Sequence, residues 1–194
     1  MASQDWVNLL NGGAPWQTAQ GTALSTAVTA TISPQAAGPQ DFILPGQPNG
    51  LQWYVGMQLR LRGRGVMASG GTTSSLTVFP ALGVSATLAS ALCTTGAIVL
   101  GTGTVTAMAW RMEADVTCTA LGSSGTTLIS DGLFQCSDTT GLAFGTANTV
   151  TTPMPFTSTS FNTYTTPTAI GLRATLTAAF GSIQCNRFTV EQIF

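Results

Sequence analysis

Thr104-Val105-Thr106-Ala107-Met108-Ala109-Trp110-Arg111-Met112-Glu113-Ala114-Asp115-Val116-Thr117-Cys118 alternates along its whole length. Met108, Trp110, Met112, Ala114, Val116 and Cys118 fall on one side, and Arg111, Glu113, Asp115 and Thr117 on the other. Successive side chains of a strand point to opposite faces, so this is a strand with one face in a core and one in water. A Gly122-Ser123-Ser124-Gly125 turn follows, and Thr126 to Cys136 is expected to pair back across it. In a symmetric hairpin Cys118 faces Ile129 and Cys136 faces Arg111. The two sulfurs then lie roughly 20 Å apart at about 3.3 Å per residue, too far for a disulfide.

The same period recurs on both sides of this hairpin. Met57 to Ala68 places Met57, Leu59, Leu61, Gly63, Gly65 and Met67 on one face and Gln58, Arg60, Arg62 and Arg64 on the other. Thr168 to Phe180 sets Ile170, Leu172, Ala174, Leu176, Ala178 and Phe180 on one side. Ile183 to Phe194 closes the chain with Phe188 and Val190 inward. Thr22 to Ile32, Ser75 to Phe79 and Gly96 to Leu100 add shorter strands. Ser137 to Thr166 reads as loops with one edge strand. No long helix or internal repeat stands out. About eight strands at this spacing predict an all-β, single-domain antiparallel β-sandwich over residues 21–194, preceded by an extended N-terminal arm over residues 1–20.

Composition supports this reading and limits function. The chain has 194 residues, of which 44% are hydrophobic and only 7% charged, with a formal net charge of −1. Its mean hydropathy of +0.31 excludes disorder, and a chain this long removes about 70% of its surface from water on folding. All six basic residues are arginine, and histidine is absent. Walker-type phosphate binding, Schiff-base chemistry, histidine general bases and histidine metal ligands are therefore excluded together, and no cofactor or metal is expected. The charge balance argues against nucleic acid as a partner. So little charge leaves a free monomer poorly protected against association, so other subunits are expected to cover part of the surface.

The uncharged stretch from Arg64 to Arg111 tempts a transmembrane reading, but Pro80, Gly83, Thr94, Thr95 and Gly96 cut it into strand-sized runs. No membrane partner is expected. The N-terminus lacks a basic region and a long apolar run, so no secretory signal is expected. Without one, Cys93, Cys118, Cys136 and Cys185 are expected to be free thiols in the core. The first twenty residues differ in character. Trp6, Val7, Leu9, Leu10 and Trp16 surround Asn11-Gly12-Gly13, which suits an arm that docks on another molecule or folds back over its own core.

Arg60, Arg62 and Arg64 hold half of the positive charge on one strand face. They are read either as a grip for a carboxylate row, sulfated glycan or phosphate, or as a cross-strand ladder with Glu113 and Asp115. The ladder, within a subunit or between subunits, is the favoured reading. Glu113 and Asp115 as a general acid and base are set aside for a charged surface pair. Asp131-Gly132 and Asp138-Thr139-Thr140-Gly141 read as turns. Gly63-Arg64-Gly65-Val66-Met67-Ala68 matches a dinucleotide string but opens no helix. Its glycines instead make room for a neighbouring ring or a bulge. The chain has no G-x-S-x-G nucleophile elbow, and an enzyme is not expected.

The order of these elements carries a resemblance. A Thr-rich strand leads to Gly56-Met57-Gln58-Leu59-Arg60 and Gly63-Arg64-Gly65. Ala107-Met108-Ala109-Trp110-Arg111-Met112-Glu113-Ala114 then runs into the Gly-Ser-Ser-Gly turn, and Asn186-Arg187-Phe188-Thr189-Val190-Glu191 closes the chain. This pattern resembles small jelly-roll virion proteins of tailed bacteriophages: head decoration, head fibre or minor structural proteins. The resemblance implies a jelly-roll sandwich and assembly as a homotrimer on the major capsid protein. It also implies a place on the outer capsid surface of the virion after assembly in the host cytoplasm, and no catalytic residues. The alternative is a tail or fibre-tip component that binds a host glycan or receptor.

Overall fold

The computed structural model describes residues 20–33, 42–44, 53–70, 73–84, 87–122, 125–137, 149–161, 168–178 and 181–193. Trp6, Val7, Leu9, Leu10 and Trp16 lie outside them. Among the described residues there are eleven strands: β1 (Thr29–Thr31), β2 (Phe42–Leu44), β3 (Gln58–Ser69), β4 (Ser74–Val84), β5 (Thr87–Ala91), β6 (Ile98–Leu100), β7 (Val105–Ala120), β8 (Thr126–Ser137), β9 (Thr149–Phe161), β10 (Thr168–Leu176) and β11 (Ser182–Gln192).

The strands form two antiparallel sheets. One has the order β11-β3-β7-β8-β9. The other has β1-β10-β4-β5, with β2 also paired to β10 and β6 to β4. The expected all-β antiparallel sandwich is thus present, with more strands than the eight anticipated. The additions to those eight are the short β2 and β5, together with β9, a thirteen-residue strand where loops with one edge strand were expected. Its Pro153 and Pro155 concealed its length in the sequence. Proline removes a ladder donor and is tolerated at a sheet edge, which is where β9 lies.

One core fills the space between the sheets. Leu59, Leu61, Met112, Val116 and Phe134 from one sheet join Leu76, Val78, Leu82, Leu172 and Leu176 from the other. The alternation read in β7 holds, since Met108, Trp110, Met112, Ala114, Val116 and Cys118 are all buried. Trp110 stacks on Phe134 with ring centroids 5.8 Å apart, and its Nε1 donates to the carbonyls of Val66 and Gln184, each at 3.2 Å. Gly63 makes room at the centre, where a Cβ would lie 2.9 Å from Leu172 and 3.4 Å from Trp110. The four cysteines are buried thiols with no disulfide among them.

The edges are managed by the chain itself. Gly21 N donates to Cys185 O at 2.8 Å, and Leu24 pairs with Ile183 along β11. The chain then continues to β1, which pairs with β10 of the opposite sheet. Residues 21–31 therefore strap one side of the sandwich.

Bulges adjust the registers. In β7 and β8 the pairing shifts between Cys118 and Ala120, so Cys118 faces Leu128 and Cys136 faces Trp110. The symmetric hairpin had given Ile129 and Arg111, and the extra residue Thr119 accounts for the one-residue difference. Asp131-Gly132 is not a turn. It lies within β8, at a bulge in the pairing with β9.

Candidate functional site

The outer face of the β11-β3-β7-β8 sheet gathers almost all the charge of the described residues. Alternation sends Arg60, Arg62 and Arg64 of β3 and Arg111, Glu113 and Asp115 of β7 away from the core, while register sets them side by side. Three rows result. Glu191, Arg60, Asp115 and Asp131 form the first, and Thr189, Arg62, Glu113 and Leu133 the second. Arg187, Arg64, Arg111 and Gln135 form the third. Neighbouring rows are roughly 6.6 Å apart along the strands.

The first two rows are tied together by ion pairs. Arg60 donates to Asp115 through two nitrogens, Nε at 2.8 Å and Nη2 at 2.9 Å, a bidentate fork. Arg62 Nε donates to Glu113 at 2.8 Å, and its Nη1 reaches Glu191 at 3.1 Å. Arg60 Nε also lies 3.6 Å from Glu113. The hydrogen bond to Asp115 and that carboxylate's charge raise the Arg60 pKa above its ordinary value. Glu113 does the same for Arg62. The ladder read in the sequence therefore exists within one chain for Arg60, Arg62, Glu113 and Asp115, and Glu191 joins it. These side chains are substantially exposed, so the network orders the face more than it stabilises the fold.

Arg64 departs from the expected ladder. Register places it opposite Arg111 on one side and Arg187 on the other, because Glu113 and Asp115 pair with Arg62 and Arg60. Among the described residues Arg64, Arg111 and Arg187 form no ion pair. Arg111 Nε donates to Gln135 Oε1 at 2.5 Å. The three arginines and Gln135 line one depression of about 750 Å³ with Arg62, Glu113, Asp115, Asp131, Leu133, Thr189 and Glu191.

Arg111 was legible as part of this face from the alternation of β7. Arg187 was legible only in part. Inward Phe188 and Val190 turn residue 187 outward, whereas Ile183 and Cys185, which also face the core, set the opposite phase. A bulge between Cys185 and Arg187 resets the phase, turning Arg187 outward and Phe188 and Val190 inward.

The other sheet is different. On its outer side Ala81, Leu88 and Ala169 are buried with Phe79, and Arg173 is the one charged residue described there. Arg173 Nη1 donates to Leu88 O at 2.6 Å. Among the aromatics outside the charged face, Trp53 is core, Tyr54 and Phe156 are exposed, and Phe161 packs against the core. Tyr164 lies outside the described residues.

Among the described residues no group of three or more cysteines and carboxylates is placed to hold a metal ion. No helix there is long and apolar enough to cross a membrane. Of the four carboxylates on the charged face, Glu113, Asp115 and Glu191 are directed at guanidiniums. Compared with models of protein families and with curated protein sequences, the chain matches none.

Proposed function

We propose that this chain is a structural subunit of a bacteriophage virion, a homotrimeric decoration protein that seats on the major capsid protein at the outer head surface and stabilises the shell. The observation that carries this reading is the partition of charge. Five of the six arginines share one sheet face with four carboxylates, leaving the rest of the described exterior nearly uncharged. Solvated proteins keep apart through mixed surface charge, and a molecule with so little of it elsewhere suits permanent contact with neighbours. The resemblance to small virion proteins points the same way. Three copies on a symmetric shell would turn modest single contacts into firm attachment.

In this reading residues 1–16, with Trp6, Val7, Leu9, Leu10 and Trp16, are the docking segment. The test combines mass measurement of the purified protein with binding to undecorated heads. Trimers that attach, and that fail to attach once residues 1–16 are deleted, support the proposal. A monomer at high concentration, or unchanged attachment by the truncated trimer, overturns it.

A further inference from the structure

We infer that the row Arg187, Arg64 and Arg111 is a binding site for an oxyanion ester, a sulfate or phosphate group carried on a saccharide. Like charges directly opposite on adjacent strands destabilise a sheet, and here three stand in line across β11, β3 and β7. Neighbouring strands are roughly 4.8 Å apart, so the guanidiniums stem from backbones close enough to converge on one tetrahedral group. The chain has carboxylates on the same face, yet their register assigns them to Arg60 and Arg62. The bulge before Arg187 adds the third cation to the row. A guanidinium presents a planar fork of donors suited to sulfate and phosphate oxygens. Arg64 and Arg187 make no hydrogen bond through their side chains among the described residues, and Arg111 commits only its Nε.

The surroundings favour a saccharide carrier over a nucleic acid. The cationic stretch is bounded. Glu113 lies one row away, and Asp115, Asp131 and Glu191 lie two rows away. A continuous polyanion crossing this face would meet them, whereas a ligand with isolated charges would not. Next to the row lie Gln135 and Thr189, which offer hydrogen bonds to hydroxyls, and Leu133, an exposed apolar side chain able to meet a sugar face. The depression of about 750 Å³ has room for one or two sugar rings. The inference does not rest on the virion reading, because it holds for a single chain in any location.

Calorimetric titration at low ionic strength with glucose 6-sulfate, glucose 6-phosphate, inorganic sulfate, unmodified glucose and a short single-stranded DNA tests it. Both esters are expected to bind in competition with inorganic sulfate and more tightly than it, while glucose does not bind. Arg64→Gln or Arg187→Gln should weaken the esters about tenfold, the consequence of losing one charge-assisted hydrogen bond. Arg60→Gln removes the same charge from the far end of the face and should leave affinity unchanged. Without ligand, Arg64→Gln should melt no lower than the parent because it relieves like-charge contact, which separates loss of binding from loss of fold. Sulfate should raise the melting temperature of the parent and not of the Arg64→Gln, Arg187→Gln double variant. The inference is overturned by any one of three results: no ester binding, DNA binding as tight as that of the esters, or equal weakening by Arg60→Gln.

Discussion

Gly65 shows how tightly single positions of this sandwich are constrained. A Cβ there would collide with the backbone carbonyl of Gln184 on β11, the same carbonyl that accepts from Trp110 Nε1. Backbone cannot swing aside as a side-chain tip can, so Gly65→Ala should lower stability by about 1–3 kcal/mol, measured by denaturant titration. Gly63 is the contrast. A Cβ there meets the end of Leu172, which can rotate, so Gly63→Ala should cost less than Gly65→Ala. Equal losses would mean that strand propensity rather than β11 packing sets the requirement. Ala107 is the described non-glycine residue with a positive φ, 62°. It sits where the β3–β7 pairing shifts between Met67 and Ser69, a strained placement that alternation in β7 gave no reason to expect.

At the scale of elements, strand existence was legible and register was not. The long strands β3, β7, β8, β10 and β11 each announce themselves by a period of two, because one face must be apolar and the other polar. Bulges leave no such mark, since one inserted residue reads as a local irregularity in the same pattern. Thr119 moved Cys136 from Arg111 to Trp110, and Asn186 turned Arg187 outward beside Arg64. Deleting Asn186 should therefore be tolerated by the core. The shortened strand would pair in plain alternation, with Cys185 inward, Arg187 outward and Phe188, now 0% exposed, still inward. The expected change is within about 1 kcal/mol, read by denaturant titration. A loss of several kcal/mol would show that the bulge itself holds β11 in place. The edge strand β9 was legible in existence but not in length: its prolines signal loops in isolation, and only its place at the rim permits them.

For the whole molecule, burial of thiols links stability to pH. Burial pushes Cys93 and Cys185 from an ordinary 9.0 up to about 12, and it raises Cys118 as well. The unfolded chain releases these protons at lower pH than the native one, so stability is fully present below about pH 9 and falls as pH rises toward 12. Denaturant midpoints measured across that interval should decline, and the decline should shrink in Cys93→Ala and Cys185→Ala when each is compared with its own value at neutral pH. The native thiols should also resist alkylation at pH 8 and react after unfolding.

The sequence by itself determined the class of this protein. Strand alternation, scarce charge and the absence of lysine and histidine depend on residue identity and short-range spacing, which no later contact alters. It also brought Arg60, Arg62, Glu113 and Asp115 onto facing strands as one ladder. Tertiary structure alone decided which cations were left over. Whether Arg64 meets a carboxylate or two further arginines depends on registers set by bulges and by packing of Phe188 and Trp110. Those are energies of side chains distant in sequence, and a one-dimensional pattern does not contain them.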